Sequence, residues 1–165
     1  MPSVYLSLGS NIGDRAWHVA RALELLAARG VRVVKQSALY ETEPVEMRAQ
    51  DWFLNGAVEV ETDLPPQQLM QTLLEIERTM GRERVTPKGP RIIDMDILLY
   101  GSAVVHEAQL EIPHPRMAER RFVLVPFAEI APDAVHPILK KTIRELLSET
   151  ADRSEVRRVA EKLEE

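Results

Sequence analysis

Gly89-Pro90-Arg91-Ile92-Ile93-Asp94-Met95-Asp96-Ile97-Leu98-Leu99-Tyr100 is the stretch on which the fold turns. From Ile92 to Tyr100 it is rich in Ile and Leu, lies between Gly89-Pro90 and Gly101, and is too short for a globular helix. This predicts an interior strand. Side chains on a strand alternate between faces with a rise of ~3.3 Å per residue, so Asp94 and Asp96 share a face, roughly 6–7 Å apart along the chain. Leaving ionised carboxylates unpaired there costs on the order of several kcal/mol. A cation therefore belongs beside them, either arginine in a structural salt bridge or a hard metal ion. Mg²⁺ in a pair ~3.5–4 Å apart suits two carboxylates on one face, because it takes few protein ligands and leaves other positions to phosphates.

The segment leading into this strand is basic. Arg78, Arg82, Arg84, Lys88 and Arg91 crowd it, with Glu83 as the acid among them, and a second basic group follows at His114, Arg116, Arg120 and Arg121. A run of charge is ordinarily a solvated surface. Here it abuts two carboxylates, and the arginine fork suits bidentate contact with phosphate oxygens.

Further out, the 165 residues, 45% hydrophobic and 28% charged, are those of an ordinary globular protein, read as a single domain over residues 1–165. The absence of cysteine excludes disulfides and thiolate metal sites. Met1 to Leu6 lack a basic segment followed by an apolar one, and no apolar run reaches membrane-spanning length. The expectation is a cytoplasmic monomer with no membrane partner. A net charge of −5 argues against a nucleic-acid partner.

Val4, Leu6 and Leu8 alternate with polar neighbours as in a half-buried strand, followed by a turn at Gly9-Ser10-Asn11-Ile12-Gly13. That turn lacks the phosphate-loop and dinucleotide glycine patterns and reads as a plain strand-to-helix connection. Asp14 caps a helix from about Arg15 to Arg29, with Ala16, Val19, Ala20, Leu23, Leu26 and Ala27 on one face and Gly30 as its stop. Val31 to about Thr42 reads as one strand, with a bulge at Val33-Val34. A long polar loop, 43–51, precedes a third strand from Trp52 to Glu61. Leu54, Gly56, Val58 and Val60 share its core face, while Phe53 and Asn55 on the other offer an aromatic surface beside an amide, which suits a planar heterocycle. Asp63-Leu64-Pro65-Pro66 opens a second helix carrying Leu69, Leu73, Ile76 and Met80, with Gly81 ending it. Glu77, beside that apolar row, either anchors an arginine or is solvated. Val104 to Ile112 reads as a hairpin continuing the sheet, and Pro113 and Pro115 fix the backbone around His114, which His18, His106 and His136 lack. A short helix begins near Arg120, and 141–149 and 154–163 read as surface helices, the last within a C-terminal segment 150–165.

Strand, helix, strand, strand, helix, strand is the order of the ferredoxin-like split βαβ arrangement: an α+β fold with a βαββαβ core, an antiparallel sheet with helices on one face, and added C-terminal helices. Phe53, Asn55, Asp94 and Asp96 then meet on an open opposite face.

Leu8-Gly9-Ser10-Asn11, Phe53-Leu54-Asn55, Gly81-Arg82-x-Arg84, Gly89-Pro90-Arg91-x-x-Asp94-x-Asp96-Ile97, Pro113-His114-Pro115 and Glu129-Ile130-Ala131-Pro132 together resemble the 6-hydroxymethyl-7,8-dihydropterin pyrophosphokinases of folate synthesis, over residues 3–147. The resemblance implies transfer of the pyrophosphoryl group of ATP to the pterin hydroxymethyl oxygen, with release of AMP. It implies two Mg²⁺ ions on Asp94 and Asp96, and Arg82 and Arg91 as catalytic cations beside them. Arg84, Lys88, Arg91, Ile97, His114 and Arg120 would contact ATP. Phe53 and Phe122 would sandwich the pterin, with Asn55, Thr42, Pro44 and Val45 at its edge, and the loops 43–51 and 82–90 would close over the substrates. Many members have an arginine and an aromatic residue just before Gly-Pro-Arg, where this chain has Pro87 and Lys88, and a tyrosine where it has Phe53. The same sheet and carboxylate pair also suit a nucleotidyltransferase attacking the α-phosphorus. A non-catalytic module of this topology, binding RNA or sensing an amino acid, is the remaining reading.

Overall fold

The computed structural model describes residues 2–43, 51–81 and 92–160, with the main chain alone at Ala160. In chain order the elements are β1 (Val4–Ser10), α1 (Arg15–Ala28), β2 (Arg32–Gln36), β3 (Leu39–Thr42), β4 (Phe53–Glu61), α2 (Pro66–Thr79), β5 (Asp94–Tyr100), β6 (Val105–Glu107), β7 (Leu110–Ile112), a 3-10 turn at Met117–Glu119, α3 (Arg121–Ile130), α4 (Ile143–Glu149) and β8 (Val156–Ala160). The main sheet runs β5-β1-β4-β3-β8, with β2 also on β4, and its pairs are antiparallel. This is the expected α+β split βαβ order with β8 added.

Local chemistry explains the helix ends. Asp14 accepts a hydrogen bond from Trp17 N at the start of α1, and Gly30 follows its end with φ +83°, a conformation glycine adopts without strain. Pro66 occupies the first turn of α2, where an absent N–H costs nothing. Leu69, Leu73 and Ile76 of α2 and Val19, Ala22 and Leu26 of α1 bury against Leu6, Leu8, Leu54, Val58, Val60, Met95 and Ile97. Each fully buried leucine there contributes about 1.5–3 kcal/mol. The inner stripe of α1 is narrower than expected: Val19, Ala22 and Leu26 are buried, whereas Ala16 and Ala27 are exposed.

Four expectations are corrected. The strand expected over 31–42 is two, β2 and β3, both on β4, divided at Ser37-Ala38; the predicted bulge is present as a register shift between Val33 and Lys35. Ser37 holds the division, its N donating to Ala57 O at 2.9 Å and its Oγ accepting from Ala57 N at 3.0 Å. The hairpin after Gly101 pairs only with itself, as β6 and β7, rather than extending the sheet. The helix expected over 154–163 is, in its described part, the strand β8, and its residues 161–163 lie outside the described residues. Val156 and Val159 favour extended backbone, and the outer edge of β3 supplies the pairing groups that outweigh a surface sequence with helical spacing. Finally, β5 ends the sheet order rather than lying inside it. It is buried because helices cover both faces, and His114 N bonds to Leu98 O at 3.1 Å.

The face opposite α1 and α2 is also only partly open. Tyr5, Ala57, Leu98 and Leu99 pack there with Met117, Val123, Leu124 and Phe127 of the α3 region and Ile143 and Leu146 of α4. An irregularity between Tyr5 and Leu6 in the β1–β5 register sets both Leu98 and Leu99 into this second core. One end of the face is thus sealed.

Candidate active site

The unsealed end carries the predicted residues in rows. Gly9 of β1 pairs with Asn55 of β4 on one side and Asp94 of β5 on the other, while Ser7 pairs with Ala57 and Asp96. Directly opposed residues share a face, so Asn55, Asp94 and Asp96 converge across β1. Both aspartates are partly exposed, whereas Met95 between them is buried in the first core. Their alternation is as predicted.

Glu77 explains how that strand end is held. It lies on α2, is 3% exposed, and accepts a hydrogen bond from Met95 N at 2.8 Å. The sequence left it between an arginine anchor and a solvated surface; a bond to the β5 main chain is a role neither reading named.

His114 sits over Asp96, with Nε2 3.8 Å from Asp96 Oδ2. Burial, reinforced by Arg120 and Arg116 and opposed by Asp94 and Glu111, pulls its pKa down to about 4. The ring is therefore neutral at pH 7. Its Nδ1 accepts from Arg116 N at 3.2 Å, which leaves the ring proton on Nε2, facing Asp96. The Arg120 guanidinium lies 5.5 Å from the centre of the Phe122 ring.

On the other flank, Asn55 is 4% exposed and donates from Nδ2 to Thr42 Oγ1 at 2.5 Å. Phe53 precedes it on the same face, half-buried. Phe122, at the start of α3, packs partly buried against the second core. The tie that fastens this flank was missed in the sequence, although its Glu-Ile-Ala-Pro motif was noticed. Glu129 of α3 accepts from Ala38 N at 3.1 and 3.2 Å and from the Tyr40 hydroxyl at 2.7 Å, tying α3 to the start of β3. Burial and the Glu129 hydrogen bond push the Tyr40 phenol up to about 12.

Ile97 does not join the group. It is 2% exposed and turned into the first core, so any ligand contact from it is through the main chain. Arg82, Arg84, Lys88, Arg91, Pro44 and Val45, with both predicted closing loops, lie outside the described residues. Among the described residues no group of three or more His, Asp or Glu side chains forms a ready-made metal cage. Asp94 and Asp96 supply two hard oxygen donors on one face and leave further positions to ligand oxygens, a donor set that fits Mg²⁺. Also among them, no helix is long and apolar enough to cross a membrane.

Known proteins resemble this chain in sequence and in fold. The model of the family described as 7,8-dihydro-6-hydroxymethylpterin-pyrophosphokinase matches residues 5–132. A Methylorubrum extorquens protein named 2-amino-4-hydroxy-6-hydroxymethyldihydropteridine pyrophosphokinase is 50% identical over 160 residues, 96% of this chain and 99% of its own. Its Bacillus subtilis namesake is 48% identical over 127 residues, 76% of each chain. The folic acid synthesis protein fol1 of Pneumocystis carinii is 42% identical over 91% of this chain, which spans 20% of that longer protein. In fold, the crystal structure of wild-type Plasmodium falciparum HPPK-DHPS superposes with a TM-score of 0.72 at 17% identity, over 88% of this chain and 44% of that one. A family match that runs from β1 to just beyond α3, with a relative half identical along nearly its whole length, places this chain in the 7,8-dihydro-6-hydroxymethylpterin-pyrophosphokinase family.

Proposed function

We propose that this pyrophosphokinase of folate synthesis moves the β,γ-pyrophosphoryl group of ATP onto the hydroxymethyl oxygen of 6-hydroxymethyl-7,8-dihydropterin, yielding the pterin diphosphate and AMP. The observation that carries the reading is the row Asn55–Gly9–Asp94, which sets an amide suited to a heterocycle edge beside carboxylates suited to a metal-bound triphosphate.

Asp94 and Asp96 would hold Mg²⁺, two ions with ATP, a group that would supply neutralisation of phosphate charge and Lewis-acid activation of the β-phosphorus. Phe53 and Phe122 stack on the two faces of the pterin. Asn55 and Thr42, with the main chain near Pro44 and Val45, read its edge. His114 donates from Nε2 to a phosphate oxygen, and its neutrality lets it do so without competing for the carboxylates as a cation. Arg120 adds positive charge on the same side, and Arg82, Arg84, Lys88 and Arg91 contact the triphosphate, Arg82 and Arg91 as catalytic cations. Displacement at phosphorus asks little covalent help of a protein and depends on alignment and charge. No nucleophile or general base is assigned.

The acidic balance of −5 supports a chain without a nucleic-acid partner, and the reading is completed by a monomer acting in the cytoplasm. The test mixes protein, Mg²⁺, ATP and the hydroxymethyl pterin and identifies the released nucleotide product. AMP supports the reading; free pyrophosphate would mean attack at the α-phosphorus and a nucleotidyltransferase. Asp94→Asn and Asp96→Asn should each remove turnover by at least about a hundredfold with an unchanged circular dichroism spectrum. Near-parental turnover in either would end the metal assignment.

A further inference from the structure

Gly9 lies at the centre of the site row, yet it has no side chain with which to touch a ligand. Its conformation is not the reason for glycine: its φ is outside the left-handed region, where Gly13, Gly30, Gly81 and Gly101 lie. An L-residue would fit the strand at this point. The constraint is space. A β-carbon built on Gly9 falls well inside 3.0 Å of Asn55 Oδ1, closer than such carbons come to oxygen, and 3.3 Å from Asn55 Cγ. The Phe53 ring carbon nearest it would be 3.6 Å away, in ordinary contact.

We propose that Gly9 is a specificity-setting position of the pterin site, a vacant seat in the β1 floor into which the Asn55 amide folds so that it faces the heterocycle edge. This rests on the reading of Asn55 as a pterin contact given above. Rotation of the amide about its last bond moves Oδ1 but not Cγ, so a methyl group on Gly9 forces a change at the first side-chain torsion as well. That swings Nδ2 away from Thr42 Oγ1, the partner that orients it at 2.5 Å. The displaced atoms are the far end of a side chain, not backbone. The main chain therefore stays in place, and the cost falls on the aim of the amide and on its hydrogen bond to Thr42. The ligand class this favours is a flat ring whose edge presents a donor beside an acceptor, since a correctly turned amide offers one of each.

The experiment uses Gly9→Ala, Asn55→Ala and the double variant in the full chain. In the ligand-free protein, the Asn55 side-chain amide resonances, assigned by their loss in Asn55→Ala, should move in Gly9→Ala. The KM for the hydroxymethyl pterin should rise about tenfold or more, as expected for a lost or misdirected hydrogen-bond pair, while the KM for ATP stays within about twofold. In the Asn55→Ala background, where the seat is empty, Gly9→Ala should add no further loss. Unmoved Asn55 resonances, an unchanged pterin KM, parallel loss for both substrates, or additive losses in the double variant would each overturn the proposal. If Asn55→Ala alone leaves the pterin KM unchanged, the assignment of Asn55 as a pterin contact fails; the resonances of Gly9→Ala then still report on the seat.

Discussion

Glu77→Ala removes the carboxylate that α2 places on the main chain between Asp94 and Asp96. The bond lost is one to a buried N–H, Met95 N to Glu77 Oε2 at 2.8 Å, and leaving that donor without an acceptor costs about 1–3 kcal/mol. One buried methylene adds about 0.8 kcal/mol, giving roughly 2–4 kcal/mol in all. At ~2–4 °C per kcal/mol for a domain of this size, Tm should fall by roughly 5–15 °C. Burying a carboxylate is itself costly, so Glu77→Gln, which keeps an acceptor and the shape, should lose less than half as much. The same slack displaces both aspartates. A shift of up to ~1 Å costs up to a hundredfold, so kcat should fall by about ten- to a hundredfold with a higher half-saturating Mg²⁺ concentration. Scanning calorimetry and a Mg²⁺ titration of turnover measure the two effects. A Glu77→Ala protein that melted within 2 °C of the parent (about 1 kcal/mol or less), with an unaltered Mg²⁺ titration, would refute the claim that this residue anchors the aspartate strand.

Phe122→Ala should raise the pterin KM by about tenfold, from lost stacking area, and move the ATP KM less; equal changes would count against a role in stacking. Glu129→Ala should lower Tm by about 4–8 °C through ~2 kcal/mol of lost hydrogen bonding, and the Tyr40 phenol, raised to about 12, should titrate nearer its ordinary 10.0 by ultraviolet absorbance. Arg15, bonded at 2.8 Å, holds the Glu41 carboxyl below its usual 4.5. The unfolded chain then takes up that proton first, so the stabilisation is complete above 4.5 and is lost as pH falls through the lowered folded value. Glu41→Gln should flatten that part of the acid limb, seen as a smaller change in urea midpoint between neutral and acid pH.

Elements whose signal is local were legible in the sequence. Alternation in Val4, Leu6 and Leu8, the Asp14 cap and the Leu69-Leu73-Ile76 row each follow from period and capping alone, and they suffice for the split βαβ order. Phe53, Asn55, Asp94 and Asp96 could be placed on one face because a strand period of two is unforgiving. What escaped depends on partners distant in sequence. Glu77 and Glu129 are ordinary helix residues until α2 and α3 bring them to N–H groups of Met95 and Ala38, 18 and 91 residues away. The C-terminal strand escaped for the same reason: its sequence satisfies a helical surface pattern, and only the vacant rim of β3 makes extension the better choice. Likewise β5 looked interior because its apolar run says that it is covered, not which neighbour covers it.

That last strand carries a colloidal consequence. Without β8, Leu39–Thr42 would present a row of unsatisfied main-chain groups, a template on which a second molecule can lengthen the sheet. With it, those groups are paired, and Arg157 of the added strand is tied to Glu41 of β3 at 3.0 Å and lies over the Trp52 ring. Removing Val156–Ala160 should therefore bare that rim and show itself as turbidity.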